Sequence, residues 1–389
     1  MTIATIQEAL RDARLDGWLF FDHHRRDPLA YRILNIPDAP EPTRRWYYFV
    51  PSRGEPRKLV HRIESGMLDG LPGTTQQYSS WADQQEKLQK IIVGYSKVAM
   101  QYSPKCAIPY VSLVDGGTIE LVRNAGVEIV SSADLIQLFE ARWSEEQFCQ
   151  HTQAGQLVDA VRREAFQLIG ERLRGGIELS EFEVQQFIRR KFAEMGLQTN
   201  HGPIVAVNAN ASDPHYEPSQ ARSSPINRGA VVLIDLWAKL DHPHAVYYDV
   251  TWTGFTGAVV PDNVQNVFAV VRDARKTGST FVIDAIAKGQ DIAGYQVDDV
   301  VRGHIAGKGL ADFFFHRTGH SIGTDVHGTG ANMDNLESHD VRRIIESTCF
   351  SIEPGVYLPE FGIRSEVNVY VGKGFARVTG EEQEELVRI

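Results

Sequence analysis

The chain has 389 residues, 42% of them hydrophobic and 23% charged, a balance that excludes a fibrous or wholly disordered protein. At roughly 150 residues per domain, this length predicts two or three domains. The formal net charge of −10 disfavours non-specific binding to nucleic acid. No apolar run reaches the roughly 18 residues that a membrane-spanning helix needs, so we expect neither a nucleic-acid partner nor a membrane partner.

The cysteines and the N-terminal residues both predict a cytoplasmic protein. Cys106, Cys149 and Cys349 are few and widely spaced, which is typical of proteins that keep their thiols reduced. The first residues mix charged and apolar positions and lack the apolar segment of a signal peptide.

The first part of the chain alternates between short helical and extended patterns, which predicts a small α/β domain over residues 1–143. Helical periodicity covers residues 5–16, and an apolar strand follows at 18–21. A hairpin is predicted with its turn at residues 53–55. Further helices are predicted at 81–92, 112–124 and 132–142, and further strands at 97–103 and 127–131.

Two helix capping boxes mark the start of a second domain, predicted over residues 144–389. Ser144 is followed by Gln147, and Ser180 by Glu183, each at the spacing that begins a helix. Antiparallel strands with helices on one face are expected after them, which predicts an α+β fold. The strands are predicted at 204–209, 230–240 and 245–257, and the helices at 262–287 and 291–307.

Two aspartates interrupt apolar strands in this second part. Asp235 lies in VVLIDLWAKL and Asp249 in HAVYYDVTWTGFTG, with a plausible turn at 241–243 between them. An unpaired buried carboxylate is costly, so each needs a partner. As a hairpin the two strands bring both carboxylates to one spot if the register allows it. Taken alone, each aspartate could equally be a strand-end or solvent-facing residue.

Two later segments carry further candidate ligands. His316, His320 and His327 fall within the glycine-punctuated stretch FFFHRTGHSIGTDVHGTG. Glu353 and Glu366 interrupt apolar sequence in FSIEPGVYLPEFGIRSEVNVYV. Taken singly, these are compatible with loop histidines and salt-bridged edge glutamates.

Together the segments supply two aspartates, one histidine and two glutamates to one domain. Four carboxylates in one pocket repel each other unless they are protonated or neutralised, and two divalent cations would balance them. Oxygen-rich ligation with a single imidazole favours Mn²⁺, with Co²⁺, Zn²⁺ or Fe²⁺ as alternatives. Paired metals can hold a hydroxide and polarise a carbonyl, which is the arrangement of metal-assisted hydrolysis.

In this order of ligands, and in the segments YYDVTWT, HRTGHSIGTDVH, SIEPGVY and GIRSEV, the chain resembles the M24 "pita-bread" metallopeptidases. That family includes methionine aminopeptidase, prolidase and aminopeptidase P, and the resemblance covers roughly residues 150–389. It implies a pita-bread catalytic domain preceded by a creatinase-type N-terminal α/β domain, as in the Xaa-Pro aminopeptidase and prolidase branch. It also implies a homodimer that hydrolyses Xaa-Pro bonds in short peptides through a hydroxide bridging two metals.

The resemblance also assigns the five ligands by position. It implies that Asp235 binds one metal ion, and that His320 and Glu353 bind the other. Asp249 and Glu366 would bridge the two ions.

Further site residues follow from the same resemblance. His215 would contact the substrate near the scissile bond, and His327 would hydrogen-bond the substrate or the tetrahedral intermediate. His316 would be a pocket histidine of the proline-cleaving branch, and Arg364 an arginine near the active site. Glu353 is in addition the candidate for proton transfer.

Departures from the family pattern leave the substrate open. Trp252 stands where an arginine is common, Ser321 replaces a frequent glycine, and the connection between Asp235 and Asp249 is long; we expect these positions to lie beside the pocket. An aminopeptidase and a dipeptidase are both compatible, and Arg364 could serve either. The remaining alternatives are a creatinase-like C–N hydrolase and a non-catalytic pita-bread binding module.

Overall fold

A computed structural model describes residues 2–36 and 41–389 of the chain. The chain divides into two compact units, Met1–Glu140 and Ala141–Ile389. This junction lies a few residues before the predicted boundary at 143/144, and the predicted functional domains stay a prediction. No helix in the described part of the chain combines the length and the apolarity needed to cross a membrane.

The first unit is a mixed sheet with helices on both faces, in the strand order β4-β3-β2-β1-β5-β6. Strand β1 is parallel to β5 and antiparallel to β2. Its elements in chain order are α1 (Ile3–Asp12), β1 (Gly17–Asp22), α2 (Pro28–Leu34), β2 (Trp46–Pro51), β3 (Arg57–His61), β4 (Thr74–Tyr78), α3 (Trp81–Ile92), β5 (Lys97–Met100), α4 (Gly116–Asn124), β6 (Glu128–Ser131) and α5 (Ala133–Ile136).

Strand β1 shows why this unit has two apolar faces. Trp18 and Phe20 belong to one core cluster, which α1 and α2 cover. Leu19 and Phe21 belong to the other, which α3 and α4 cover. Side chains alternate between the two faces of a strand, so a strand that is buried on both sides has a continuous apolar sequence. The strand predicted at 18–21 is therefore confirmed.

Three elements of the first unit differ from the sequence predictions. The prediction missed β4, an edge strand whose mostly exposed TTQQY sequence has no apolar alternation. It also missed the short helix α2, which begins at Pro28 after the capping residue Asp27. The helix predicted at 132–142 is only the single turn of α5 followed by a π-helical turn, Gln137–Ala141.

The second unit contains two larger, mainly antiparallel sheets, in the orders β17-β10-β9-β7, with β8 also paired to β9, and β11-β12-β15-β16, together with the two-stranded sheet β13-β14. Its elements are α6 (Glu145–Arg174), α7 (Glu181–Glu194), β7 (Leu197–Gln198), β8 (Ile204–Val207), β9 (Val231–Leu240), β10 (Tyr248–Phe255), α8 (Asp262–Ala287), α9 (Gly294–Ala306), β11 (Ser321–Ile322), β12 (Thr348–Ile352), β13 (Gly355–Tyr357), β14 (Gly362–Arg364), β15 (Val367–Gly372), β16 (Phe375–Thr379) and β17 (Val387–Arg388).

Each of the two larger sheets of the second unit packs against a pair of helices. Val158 of α6 and Ile188 of α7 share a core cluster with Ile234 of β9. Val282 of α8 lies in a second cluster with Phe350 of β12. The predicted antiparallel strands and packed helices are confirmed, except that β17 pairs with β10 in parallel.

Both predicted capping boxes are present. The Ser144 hydroxyl accepts a hydrogen bond from the Gln147 amide while the Gln147 side chain accepts one from the Ser144 amide, and Ser180 and Glu183 form the same reciprocal pair. Each box satisfies amide groups that the first turn of a helix leaves unpaired. The starts of α6 and α7 are therefore fixed by local sequence.

Hydrogen bonds join strand β10 of one sheet to residues 366–368 of the other. The Glu366 amide donates to the Thr251 carbonyl at 3.1 Å. The Asn368 side chain binds both backbone groups of Asp249: its Oδ1 accepts from the amide at 3.0 Å, and its Nδ2 donates to the carbonyl. These hydrogen bonds bring the predicted ligands of the two sheets together.

A buried histidine of α6 makes the stability of the second unit dependent on pH. The His151 ring bonds the Tyr247 carbonyl and the Thr379 hydroxyl, both at 2.7 Å, and burial lowers its pKa to about 4. In the unfolded chain the pKa of a histidine is about 6.5. The contribution of His151 to stability is therefore fully present above that pH and is lost between about pH 6.5 and 4, by up to about 3 kcal/mol. We expect urea unfolding at pH 7 and pH 5 to show this loss, and to show less of it for His151→Gln. An equal loss in both proteins would contradict the assignment.

Candidate metal centre

The β9–β10 hairpin carries the two predicted aspartate ligands. Asp235 is paired with Thr251, and Asp249 with Trp237. Asp249 and Thr251 are two residues apart and therefore share a face, which is also the face of Asp235. Both aspartates are buried, at 8% and 4% exposure. The register thus presents the two carboxylates on one side of the sheet, a point that the sequence left open.

The segment that leads to His320 lies directly against β12. A Cβ atom on Gly319 would lie 1.9 Å from the Ser351 carbonyl oxygen, so any larger residue would displace the backbone. The Ser351 hydroxyl in turn accepts a hydrogen bond from the His320 amide at 2.9 Å. Glycine at this position is therefore required for the close approach of His320 to the carboxylates.

The His320 ring is oriented toward the carboxylates. Its Nδ1 is 3.1 Å from the Ser321 carbonyl, which can only accept, so the proton lies on Nδ1 and Nε2 keeps its lone pair. Nε2 lies 3.5 Å from Asp249 Oδ2 and 3.3 Å from Glu353 Oε1. Asp249, His320 and Glu366 each offer a ligand atom within 4.8 Å of the others.

Three carboxylate oxygens at this place have no hydrogen-bond partner. Within residues 2–36 and 41–389, the buried oxygens without one include Asp235 Oδ1, Asp249 Oδ1 and Glu366 Oε1. Buried polar atoms are nearly always paired, and an exception commonly marks a bound ion or water. The other Glu366 oxygen accepts from the Thr251 hydroxyl at 2.9 Å. Unpaired carboxylate oxygens around one imidazole fit divalent cations.

The electrostatics of the cluster also favour a cation. Burial raises the pKa of Asp249 well above its usual range, and the neighbouring Asp235 adds to the shift. Burial likewise raises the pKa of Glu366, with Asp249 and Glu353 adding to it. Burial raises the pKa of Glu353, and the neighbouring His320 reduces the size of this shift. These groups therefore resist ionising together unless further positive charge is present.

Arg364 is fully engaged inside the cluster. Its Nη2 donates to Asp235 Oδ2 at 2.5 Å, its Nη1 to the Tyr357 hydroxyl at 3.0 Å, and its Nε to the Thr251 hydroxyl at 3.1 Å. The residue is 3% exposed. All three guanidinium nitrogens are thus used within the protein, which favours a role in holding Asp235 over the binding of a substrate carboxylate.

His316 belongs to the same network through Tyr357. Its Nδ1 is 2.7 Å from the Arg317 carbonyl, so Nε2 accepts from the Tyr357 hydroxyl at 2.7 Å. Burial, with Arg364 adding to it, lowers the pKa of His316 to about 3, and burial raises that of Tyr357 to about 12. Both groups are therefore neutral at neutral pH, and neither ring nitrogen of His316 is left for a substrate.

The other two predicted histidines are exposed. The centroid of the His327 ring lies 4.4 Å from that of His320. The neighbouring His320, followed by burial, lowers the pKa of His327 to about 3. His215 lies in the loop after the 3₁₀ turn Asn208–Ser212. The ring N–H groups of these two histidines can donate hydrogen bonds to an oxygen that develops negative charge.

The sequence reasoning missed three polar residues that support the ligands. Each stands two residues from a predicted ligand, and in a strand that spacing returns a side chain to the same face. The missed signal was therefore a polar residue at i±2 from each carboxylate. These residues are Thr251 beside Asp249, Ser351 beside Glu353, and Asn368 beside Glu366.

The buried Asp298 of α9 and its partly buried partner Arg302 hold the histidine segment from behind, and the sequence did not indicate them. Asp298 accepts from the Thr318 amide at 3.1 Å and pairs with Arg302 at 2.8 Å. Arg302 in turn donates to the carbonyls of Phe314 and His316. Helix α9 therefore fixes the backbone that leads to the predicted ligand His320.

The expectation that Trp252 lies beside the pocket is wrong. Trp252 alternates with Thr251 along β10 and therefore points to the opposite face of the sheet. There its ring centroid lies 3.4 Å from the guanidinium carbon of the buried Arg162 on α6. Tryptophan at this position stabilises the packing of α6 on the sheet.

Ser321 ties the loop that carries His327 rather than facing the pocket. Its hydroxyl accepts from the Gly330 amide at 3.0 Å, and its carbonyl accepts from the Gly328 amide at 2.6 Å. Serine in place of glycine therefore adds a hydrogen bond at the base of this loop.

The fold and the site define a set of donors for divalent metal ions, and the family follows from the sequence. The chain belongs to metallopeptidase family M24, whose model matches residues 150–373.

Relatives of the chain carry names from both branches of proline-specific peptidases. It is 30% identical over 222 residues to the Xaa-Pro dipeptidase of Lactobacillus delbrueckii subsp. lactis, covering 57% of this chain and 56% of that protein. It is 26% identical over 195 residues to a putative Xaa-Pro aminopeptidase of Mycoplasma pneumoniae, covering 50% of this chain and 51% of that one. The chain thus spans about half the length of the curated relatives that it matches.

Solved structures match the entire chain. Dipeptidase PepE from Mycobacterium ulcerans aligns over 100% of this chain and 96% of its own, with a TM-score of 0.71 at 20% identity. The dipeptidase from Pyrococcus horikoshii OT3 aligns over 100% of both chains, with a TM-score of 0.64 at 22% identity. The predicted fold, a pita-bread domain preceded by an α/β domain, is confirmed.

Proposed function

We propose that this chain is a dinuclear metal-dependent peptidase that cleaves Xaa-Pro bonds in short peptides. The observation that carries the proposal is the cluster of Asp235, Asp249, His320, Glu353 and Glu366, in which three buried oxygens lack a hydrogen bond. Membership of metallopeptidase family M24 supports it.

The five ligands divide between two cation positions in this proposal. Asp235, whose second oxygen is held by Arg364, binds one ion. His320 and Glu353, which lie 3.3 Å apart, bind the other. Asp249 and Glu366 would contribute to both positions, since each has one unpaired oxygen and both lie near His320. Metal ions held there would supply Lewis acidity and would lower the pKa of a water molecule at the site.

The chain's own residues supply proton transfer and charge stabilisation. Glu353, whose Oε1 lies 3.3 Å from His320 Nε2 inside the cluster, takes a proton from the attacking water and gives it to the leaving amine. His327 and His215 donate hydrogen bonds to the oxygen of the carbonyl under attack. Arg364 holds the Asp235 carboxylate in place, and His316 fixes Tyr357 behind it.

The proposed Xaa-Pro substrate is supported by the relatives, which are named Xaa-Pro dipeptidase and putative Xaa-Pro aminopeptidase. An Xaa-Pro bond is a tertiary amide, so a pocket shaped for the proline ring is required. A dipeptidase must in addition bind the carboxylate of proline. Each guanidinium nitrogen of Arg364 already donates to a group of the protein, so that task would fall to another donor.

Peptide length separates the two branches experimentally. We expect Mn²⁺-dependent hydrolysis of Ala-Pro, of Ala-Pro-Ala, or of both, with chelator abolishing the activity and with little cleavage of Ala-Ala. A preference for the dipeptide identifies a dipeptidase, and a preference for the tripeptide an aminopeptidase. Cleavage of neither peptide by protein loaded with metal would contradict the proposal.

The complete ligand set argues against the two alternatives. A creatinase-like hydrolase that works without metal has no need for buried carboxylate oxygens that lack partners. A non-catalytic binding module would not require His215 and His327 around them. Neither alternative is favoured.

We further propose Mn²⁺ as the metal, a homodimer and a cytoplasmic location. The oxygen-rich donor set supports Mn²⁺. The three free cysteines, two of them exposed, support a reducing compartment. Metal analysis of protein purified without added metal and sedimentation equilibrium test the first two points.

Replacing His327 is expected to separate metal binding from turnover. His327→Ala removes a hydrogen-bond donor but no ligand, so kcat should fall on the order of 10²–10³-fold while the metal content stays the same. The exposed His242 provides a matched control, since His242→Ala should leave both unchanged. Loss of metal from His327→Ala, with normal turnover per bound metal, would contradict the assigned role.

A further inference from the structure

Glu181 is a carboxylate at the start of α7 that is fully buried and fully hydrogen-bonded. It has 0% exposure. Its Oε1 accepts from the Val207 amide at 2.7 Å and from Asn210 Nδ2 at 2.9 Å. Its Oε2 accepts from the Tyr216 hydroxyl and the Ser224 amide, both at 2.6 Å. Helix capping does not explain this arrangement, because the capping box uses Ser180 and Glu183 instead.

The four donors all belong to the segment that carries His215. Val207 ends β8, and Asn210 lies in the 3₁₀ turn that follows. Tyr216 and Ser224 lie further along, in the loop that leads to β9. Tyr216 is the direct neighbour of His215 and is buried at 1% exposure, whereas His215 is exposed. One carboxylate thus connects both ends of the loop to a rigid helix.

The other side of the 3₁₀ turn rests on the β13–β14 hairpin. A Cβ on Gly362 would lie 1.9 Å from the Ala211 carbonyl oxygen, so the two backbones are in direct contact. The Ser212 hydroxyl donates to the Leu358 carbonyl. Because β14 ends at Arg364, the loop is held between Glu181 and the strand that carries this arginine of the cluster.

We propose that Glu181 is the positioning residue for His215, holding its loop so that the imidazole faces the substrate. This inference rests on the proposed function, since His215 has a catalytic role only there. Four donors converge on the carboxylate. A glutamine in its place has one acceptor oxygen and one NH2 group. The donors that face the NH2 group would lose their acceptor.

Glu181→Gln is therefore expected to lower kcat/KM about 10- to 100-fold, because small displacements of a catalytic group are costly. Affinity for Mn²⁺ should stay within about two-fold, since no ligand contacts Glu181. In a His215→Ala background the same substitution should cost less than about three-fold, because the group that it positions is already gone. Tyr216→Phe, which removes one hydroxyl, should give a smaller loss of the same kind.

A second readout does not depend on activity. Arg222 has 66% of its side chain exposed and lies two residues before Ser224, whose amide Glu181 binds. Release of Ser224 should free the chain around the bond after Arg222, so limited trypsin digestion of the metal-free protein should cut there faster in Glu181→Gln than in wild type. Glu183→Gln, on the same helix turn but exposed, is the matched control and should change neither readout.

The outcomes separate this inference from the proposed function. If the wild type does not cleave Xaa-Pro peptides, the proposed function fails, while the digestion still tests the anchoring of the loop. If the wild type is active and Glu181→Gln keeps its kcat/KM, the inference is overturned. Additive losses in the double variant, or equal losses from Glu183→Gln, would also overturn it, because they indicate general destabilisation.

Discussion

Replacing Glu366 by glutamine is expected to abolish tight binding of both metal ions and to stabilise the metal-free protein at the same time. Glu366 is assigned as a bridge, so its loss removes a ligand from each ion. Replacement of residues that only support metal ligands already costs about 10- to 100-fold in affinity, so we expect a loss of more than about 100-fold. Asp249→Asn should behave in the same way.

The gain in stability follows from the raised pKa of Glu366. Its cause is burial, followed by the neighbouring carboxylates Asp249 and Glu353. A group whose pKa is raised on folding destabilises the native state as pH rises above its unfolded value near 4.3. Neutral glutamine removes that penalty, so the metal-free variant should melt above the wild type at pH 7.

Thermal unfolding with and without Mn²⁺ measures both effects. The wild type should gain Tm on addition of metal, by linkage of binding to folding, whereas Glu366→Gln should start higher and gain little. Glu360→Gln, at an exposed position nearby in the chain, should match the wild type in both states. A variant that still binds two ions tightly, or that melts below wild type without metal, would contradict the assignment.

Replacing Glu353 by glutamine is expected to give the largest loss of turnover. As the proposed proton-transfer group it should contribute about 10²–10⁴-fold to kcat. Glutamine keeps a carbonyl oxygen that can bind the metal ion assigned to His320 and residue 353, but it cannot take a proton. We therefore expect kcat to fall more than the metal content does. Steady-state kinetics at saturating Mn²⁺, with metal analysis on the same samples, measures this. A kcat within about three-fold of wild type would assign proton transfer to another group.

Local sequence was sufficient for elements whose signals are local. The boundaries of α3 and α8 agree with the prediction because an amphipathic run and its end signals lie within each segment. Ser144 and Ser180 fixed two helix starts for the same reason. Strand β4 was missed because an edge strand with exposed threonines and glutamines has no apolar period, and only its pairing with β3 defines it.

The candidate site divides in a similar way. Asp235, Asp249, His320, Glu353 and Glu366 were recognisable as residue types in flanking motifs, and the structure brings them together. Their shared face depended on the register of β9 and β10, and a slip of one residue would reverse it. The contacts of Glu181 and of Arg364 were not predictable, because each joins segments far apart in the chain.

Trp252 illustrates the limit of reading function from proximity in sequence. It stands three residues from Asp249 and one from Thr251, yet it faces α6 and not the metal cluster. Alternation along a strand separates neighbours in sequence onto opposite faces. The same alternation places Thr251, Ser351 and Asn368 on the face of the cluster, where they bond Glu366, Glu353 and the Asp249 backbone.

The most direct test of a dinuclear peptidase is the rate of Ala-Pro and Ala-Pro-Ala hydrolysis as metal-free protein is titrated with Mn²⁺. We expect no turnover without metal, a rise in rate that is complete at about two ions per chain, and loss of the activity on addition of chelator. Activity that is complete without metal, or full occupancy by two ions with neither peptide cleaved, would contradict it.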